Sequence, residues 1–540
     1  MRTPLLKRIR KSQAAALLLL FVLVQSRALS ASLGITYTLQ PVPPVPGTPA
    51  HTRVEVHVTG LKNEKSLRFQ MAVWSPGDYH VMNHAKYVRS VSARTIESGG
   101  EIQGSSFVAR TGKGTKSSPL NVTALDANTW EVATDGKVSD LTFEYDLPNS
   151  PAGYFSENVQ VREKYAFFNG PATYMYVVGH KENPARVRVA LPTGWKKAIT
   201  PLDAEPADSL PAGEVGFSAP DFDTLADSPL VAGDFETRSF SYASRPHTLV
   251  FFNAHQDIDY DGFLPIVQKV VTEENRVMGG PPYKQYMFFI DVNGRGGGLE
   301  HLNSQRIAWG RNFPIRFASG FVGHEFFHLW NVKRVRPSVL GPFDYVNPPK
   351  TRNLWWSEGV TEYFAQLSCV RAGLMKRSEF LEQQAGSIQS LQSNPARLKV
   401  SADDSSYRVW EANNSSGYGG LNYYLKGQLI GLCLDLKIRH LTHGKSSLDE
   451  VMRDLMARHG LPKPGFPEDG LRDAVIRAGG EQMGSFYDLL ARSTLEMPFS
   501  ECLSYAGLKM DDTGGTYRIS IDPGVGPEAG ELRESWLTAK

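Results

Sequence analysis

The hydrophobic period of this 540-residue chain changes near residue 255, and that change divides what the chain can fold into. From about Leu33 to His255 apolar residues alternate with polar ones: Val54, Val56 and Val58 in TRVEVHV, then Leu141, Phe143 and Tyr145, then Val187 and Val189. Successive side chains on a strand point to opposite faces, so this period marks strands with one buried face. Turn signals separate the runs: Ser75-Pro76-Gly77-Asp78, Pro192-Thr193-Gly194 and Pro211-Ala212-Gly213. Many short strands so spaced predict a β-sandwich over 33–255. Beyond Gln256 the period lengthens. Phe263, Ile266, Val267, Val270 and Val271 suit one helix face, and YMFFI (286–290) is a short apolar strand. Helices are expected near 317–335, 354–373, 378–392, 421–442, 447–459 and 484–493.

The first thirty residues read as an address. Arg2, Lys7, Arg8, Arg10 and Lys11 precede an uninterrupted apolar run, Ala14 to Val24, and Ala28 and Ser30 offer small residues for cleavage after Ser30. This is the layout of a secretory signal peptide (1–30), with an uncleaved anchor as the alternative. Export to a periplasm or the medium is expected, with no membrane in the mature form. The segment holds six Lys/Arg and no Asp/Glu. Of the 58 bases in the chain, 52 then remain against 56 acids, a net of −4. A mildly acidic body gives no support for a general nucleic-acid binder, which shows a basic footprint. Cys369, Cys433 and Cys502 allow at most one bridge within the chain.

The chemistry concentrates in His324-Glu325-Phe326-Phe327-His328. Residues i and i+4 share a helix face, so two imidazoles can hold one metal ion while the adjacent Glu325 reaches its water. Catalytic zinc takes three protein ligands and keeps one position open. The third is expected from LWWSEGVTEYF (354–364), where Glu358 sits among apolar neighbours and an isolated buried carboxylate is costly. Asn353 is expected to cap that helix. Glu362, one turn on, is read either as an acceptor that orients a ligating imidazole or as a solvated acid. Upstream, GRGGGLEH (294–301) follows the apolar strand directly. It lacks the Gly-Lys-Ser/Thr of a phosphate loop. Gly297 and Gly298 would let a peptide backbone lie along a strand edge, with Glu300 holding that peptide's free amine; the alternative is a flexible loop with a surface Glu.

Together HEFFHLWNVKRVRP, LWWSEGVTEYF, GGGLEH and NYYLKGQLIGLCLDLKIR resemble the glycyl aminopeptidase family of zinc peptidases, of gluzincin type. WSPGDYHVMNHAKYVRSV and DTLADSPLVAGDF resemble that family's β-domain, so the likeness spans about 35–508. The resemblance implies a multidomain chain. It has an N-terminal β-sandwich (33–255), a thermolysin-like α+β zinc peptidase domain (256–395) and a C-terminal α-helical domain completing the site (396–508). Residues 509–540 are expected to be a short tail, too short for the complete PDZ domain that many members carry. The resemblance also implies one zinc ion per chain on His324, His328 and Glu358, with Glu325 as general base. Glu300 recognises the amine and Tyr424 stabilises the tetrahedral intermediate. Its neighbour Tyr423 is expected to point away, since adjacent helix residues diverge by about 100°. The implied substrates are peptides with a free N-terminus and a small first residue, Gly or Ala, and the β-domain is expected to wall the cleft. The alternatives are a zinc endopeptidase of the same fold and a non-catalytic peptide-binding homologue. Trp330 and Asn331 are expected to serve packing and a local hydrogen bond. Lys333, Arg334 and Arg336 are read either as contacts for a substrate carboxylate or as a solvated or ion-paired face.

Overall fold

The structure is a computed structural model, and it describes residues 33–96, 117–150, 159–254, 258–412 and 416–538. The expected signal peptide lies outside the described residues. The alternating residues of the N-terminal half build an eight-stranded sheet whose centre is Gly34–Val42 paired antiparallel with His51–Thr59. Val54, Val56 and Val58 point inward and are fully buried. Two four-stranded sheets cover this one. Phe69 from a small sheet stacks on Phe143 of the large sheet, ring centroids 4.1 Å apart, so the inner faces share one apolar core.

A second sheet has five strands, in the order Glu236–Tyr242, Arg245–Phe252, Tyr286–Gly294, Ser304–Gly310, Gly298–Glu300. The hairpin 236–252, grouped with the first half on its period, pairs here instead: Arg245–Phe252 runs parallel to Tyr286–Gly294. A period of two identifies a strand but not the sheet it joins. The helix Tyr260–Met278 packs against this sheet, and a helical region follows. Its long helix Tyr423–Leu441 is buried along most of its length. The expected helix near 317–335 is shorter, Ala318–Phe327, because the chain turns sharply after His328 and Val332 takes a φ of 99°. Residues 508–521 form a hairpin, and the helix Pro527–Leu537 returns to the core, where Trp536 Nε1 donates to Tyr363 Oη at 2.8 Å. The tail is therefore a folded part of the helical region. All three cysteines are buried and unbridged. No helix among the described residues is long and apolar enough to cross a membrane.

His247 shows how burial ties stability to pH. Its Nε2 lies 2.8 Å from Tyr283 Oη, its Nδ1 3.0 Å from the Arg245 carbonyl, and its ring stacks on Phe240. Burial lowers its pKa to about 4, although the carbonyl opposes the shift. Below about 6.5 the unfolded chain binds a proton that the folded chain refuses, so stability falls as pH drops from about 6.5 toward 4. At pH 5 the loss is about 2 kcal/mol. Denaturant unfolding at pH 7 and pH 5 should show His247→Gln losing about 2 kcal/mol less than the parent. Equal losses would remove His247 from the acid sensitivity.

Candidate active site

The helix Ala318–Phe327 carries His324 and Glu325, and His328 is its C-cap. Their spacing brings the two imidazoles together, Nε2 to Nε2 at 3.1 Å. The opposite nitrogens are committed. His324 Nδ1–H donates to Glu362 Oε2 and His328 Nδ1–H to the Asn331 carbonyl, each at 2.9 Å. Both Nε2 atoms thus turn their lone pairs to one place, which Glu358 Oε2 approaches at 3.6 and 3.2 Å. Such a convergence in a buried pocket is repulsive unless positive charge sits among the three atoms. The titration directions agree. Burial by itself lowers an imidazole, yet Glu358 and Glu362 raise His324 well above its ordinary value, and Glu358 and Glu300 raise His328. Against the same burial, the imidazoles hold Glu358 and Glu362 below the usual carboxylate range. The donor set fits zinc: imidazole nitrogens about 2.0–2.1 Å from a tetrahedral ion lie about 3.3 Å apart.

Glu358 sits in a π-helical turn, Trp355–Val360, that leads into the helix Thr361–Arg371. Such turns recur at functional sites because they break the regular helical register. Asn331 supports this one. Its Nδ2 donates to the carbonyls of Trp356 and Ser357 at 2.9 and 3.3 Å and to Thr361 Oγ1 at 3.0 Å. One residue therefore orients His328 through its carbonyl and the Glu358 turn through its side chain, a wider role than the local bond expected of it. Asn353 does not cap the helix. Its Nδ2 donates to the Glu468 carbonyl, and the helical run starts at Leu354 without a side-chain cap. Of the two readings of Glu362, the orienting one is observed.

Gly298 opens the edge strand Gly298–Glu300, and a Cβ there would overlap the Glu325 carboxyl. Only glycine lets the strand pass so close to this acid. Burial pushes the Glu325 carboxyl up, the two imidazoles pull it back, and Glu300 and Glu358 add to the rise. The Gly297 carbonyl is used inside the sheet, accepting from Ala308 N at 2.9 Å, so a peptide can meet only the outer edge here. Glu300 is 3% exposed, and its Oε1 has no partner among the described residues. Ligand atoms of Glu300, Glu325 and His328 lie within 4.8 Å of one another.

The long helix delivers both tyrosines. Gly359 and Gly427 meet with no room for a Cβ on either, which sets the start of Tyr423–Leu441 against the Glu358 turn. The Tyr424 ring lies 6.2 Å from the His324 ring and is partly open to the cleft. Tyr423 does not point away. Its buried ring stacks on Tyr424 at 5.0 Å, and burial, reinforced by Glu358, raises both hydroxyls well above their ordinary value. A tyrosine ring reaches far enough from its backbone to close an angular gap of about 100°.

The sequence profile of the M61 glycyl aminopeptidase matches residues 318–430, and that of the peptidase M61 N-terminal domain matches 46–234. Together they cover more than half of the chain. The chain belongs to the M61 glycyl aminopeptidase family. No curated protein matches it. Among solved structures its fold is similar to an aminopeptidase N family protein from Idiomarina loihiensis. That protein is 22% identical with a TM-score of 0.76, over 89% of this chain and 79% of that one. The fold is also similar to an M1 zinc metallopeptidase from Deinococcus radiodurans, 14% identical with a TM-score of 0.52, over 87% of this chain and 96% of that one.

The N-terminal domain of this M61 peptidase reaches into the site, which local sequence patterns did not disclose. Gly77, in the turn Ser75–Asp78, is pressed on Glu300: a Cβ would lie 2.6 Å from Oε1. Tyr79 is buried with its hydroxyl toward Glu358, and burial, Glu358 and Glu300 raise it well above its ordinary value. Pro76, Gly77 and Tyr79 line a small pocket together with Glu300 and Val332, so the β-domain walls the cleft as expected. Asp227, from DTLADSP, accepts from His301 Nδ1 at 3.0 Å, Leu302 N at 2.9 Å and Lys333 Nζ at 2.9 Å. Arg334 donates to the Leu302 and Leu329 carbonyls. Lys333 and Arg334 are thus internal struts rather than contacts for a substrate carboxylate. Trp330 is buried against Phe326, as packing predicts.

Proposed function

We propose that this M61 peptidase is a zinc-dependent aminopeptidase that removes small N-terminal residues, Gly or Ala, from peptides. The observation that carries this reading is Glu300. A buried carboxylate with an unpartnered oxygen, beside the candidate base and metal ligands, is costly until a cation meets it. A substrate's ammonium group is such a cation, and pairing it there limits cutting to the first residue. His324, His328 and Glu358 would hold one zinc ion, which when bound supplies Lewis acidity to a water and to the scissile carbonyl. Glu325 takes a proton from the attacking water at its carboxylate and passes it to the leaving amine. The Tyr424 hydroxyl donates to the oxygen that becomes anionic. Gly298 and the edge strand align the peptide backbone, and Gly77 fixes the Glu300 carboxylate from the far side.

Elemental analysis of the purified protein should find about one zinc per chain, the number one such ligand set holds. Free-amine peptides should be cleaved and their acetylated forms spared, with a strong chelator abolishing turnover. Glu300→Ala should keep its zinc and lose about ten- to a hundred-fold in kcat/KM, the scale of a charge-assisted hydrogen bond. Equal cleavage of free and acetylated peptides by the parent would overturn the aminopeptidase reading in favour of an endopeptidase.

A further inference from the structure

Two elements leave the candidate centre in the same direction. On the helix Ala318–Phe327 and the residue before it, Glu325, Phe321 and Phe317 are spaced four apart and share a face. With a rise of about 1.5 Å per residue, Phe321 lies about 6 Å and Phe317 about 12 Å from Glu325 along the axis. On the neighbouring segment the chain runs back from Glu300 past Gly298, which touches Glu325, to Gly296. A Cβ at Gly296 would be 3.4 Å from the Phe313 ring. Phe313 in turn stacks on Phe321 at 6.2 Å, over Trp309. Strand edge and helix face therefore converge on one aromatic shelf of Trp309, Phe313 and Phe321, on which Phe313 stands 39% exposed. Phe317, 51% exposed, lies one turn further along the helix with the Arg316 guanidinium 4.7 Å over its ring.

An extended peptide advances about 3.3 Å per residue. With its amine at Glu300 and its first carbonyl beside Glu325, the next two residues pass Phe321, then Phe313 and Phe317. We propose that this shelf receives the side chains of the first two residues downstream of the cut, and that it selects apolar and aromatic ones. The inference rests on the aminopeptidase reading for the direction of the peptide. A contiguous aromatic patch left partly in water beside the candidate site suits an occupant that covers it only during turnover.

The test measures initial release of the first residue from tetraglycine and from Gly-Phe-Gly-Gly, Gly-Gly-Phe-Gly and Gly-Gly-Asp-Gly. Phe at either position should raise kcat/KM about ten-fold or more over glycine, the scale of an apolar side chain meeting an apolar surface. Asp should give no advantage. Phe313→Ser and Phe317→Ser should bring the Phe-to-Gly ratio at the third position toward one, in protein whose zinc content matches the parent. A parent enzyme that cleaves free-amine peptides with no such ratio, or variants that keep it, would overturn the shelf and leave the aminopeptidase reading standing. Equal cleavage of acetylated forms would overturn that reading, and the Phe-to-Gly ratio in the two variants would still decide the shelf. Cleavage of none of these peptides would overturn both.

Discussion

Glu325→Gln is expected to retain zinc and lose about a hundred- to ten-thousand-fold in kcat, the range of general acid–base catalysis. The amide keeps the size of the carboxyl, so the close passage of Gly298 survives. His324 and His328 keep their Nδ1 partners, Glu362 and the Asn331 carbonyl, and so stay aimed at Glu358. What disappears is a group that can take a proton beside the metal ligands. Zinc content by elemental analysis and steady-state kinetics on one Gly-initiated peptide decide the matter together. A zinc-loaded variant turning over at the parent rate would assign the base elsewhere.

The second large effect is expected at Tyr424. If its hydroxyl donates to the oxygen that becomes anionic, Tyr424→Phe should lower kcat and kcat/KM together by about a hundred- to a thousand-fold, with KM little changed. Tyr423 is not the silent control that helix geometry alone would make it. Its ring stacks on the Tyr424 ring, its hydroxyl is within hydrogen-bond reach of the neighbouring one, and both hydroxyls face the Glu358 charge. Tyr423→Phe should therefore cost roughly ten-fold, the value of one neutral hydrogen bond that orients a donor. Near-normal kinetics in Tyr424→Phe would remove the hydroxyl from the reaction. A larger loss in Tyr423→Phe than in Tyr424→Phe would exchange their roles.

The parts of the site legible in the sequence are those set by short-range geometry. His324 and His328 are one helical turn apart, and the glycines before Glu300 mark a strand that must approach something closely. Glu358 was legible because a carboxylate among apolar and aromatic neighbours needs a counter-charge. Residues that act at long range left no periodic trace. Gly77 and Tyr79 stand more than two hundred residues before Glu300 and Glu358, in and just after an ordinary turn signal. Asn331 reads as making a local hydrogen bond, because nothing local shows that its amide reaches Trp356 and Thr361. The hairpin 236–252 had the right secondary structure and the other sheet, since strand partners are chosen by packing.

The site is shared among three regions: the turn at Gly77 and Tyr79, the ligands from His324 to Glu358, and the tyrosines at 423–424. The candidate ligands lie in the middle stretch, yet the Glu358 turn is seated on the helix Tyr423–Leu441 through Gly359 and Gly427. On the proposed function, a chain with its first region undocked would lack the clamp on Glu300, and one with its last region undocked would lack both the Tyr424 hydroxyl and the support of the Glu358 turn. Hydrolysis would then serve as a check on the finished tertiary structure.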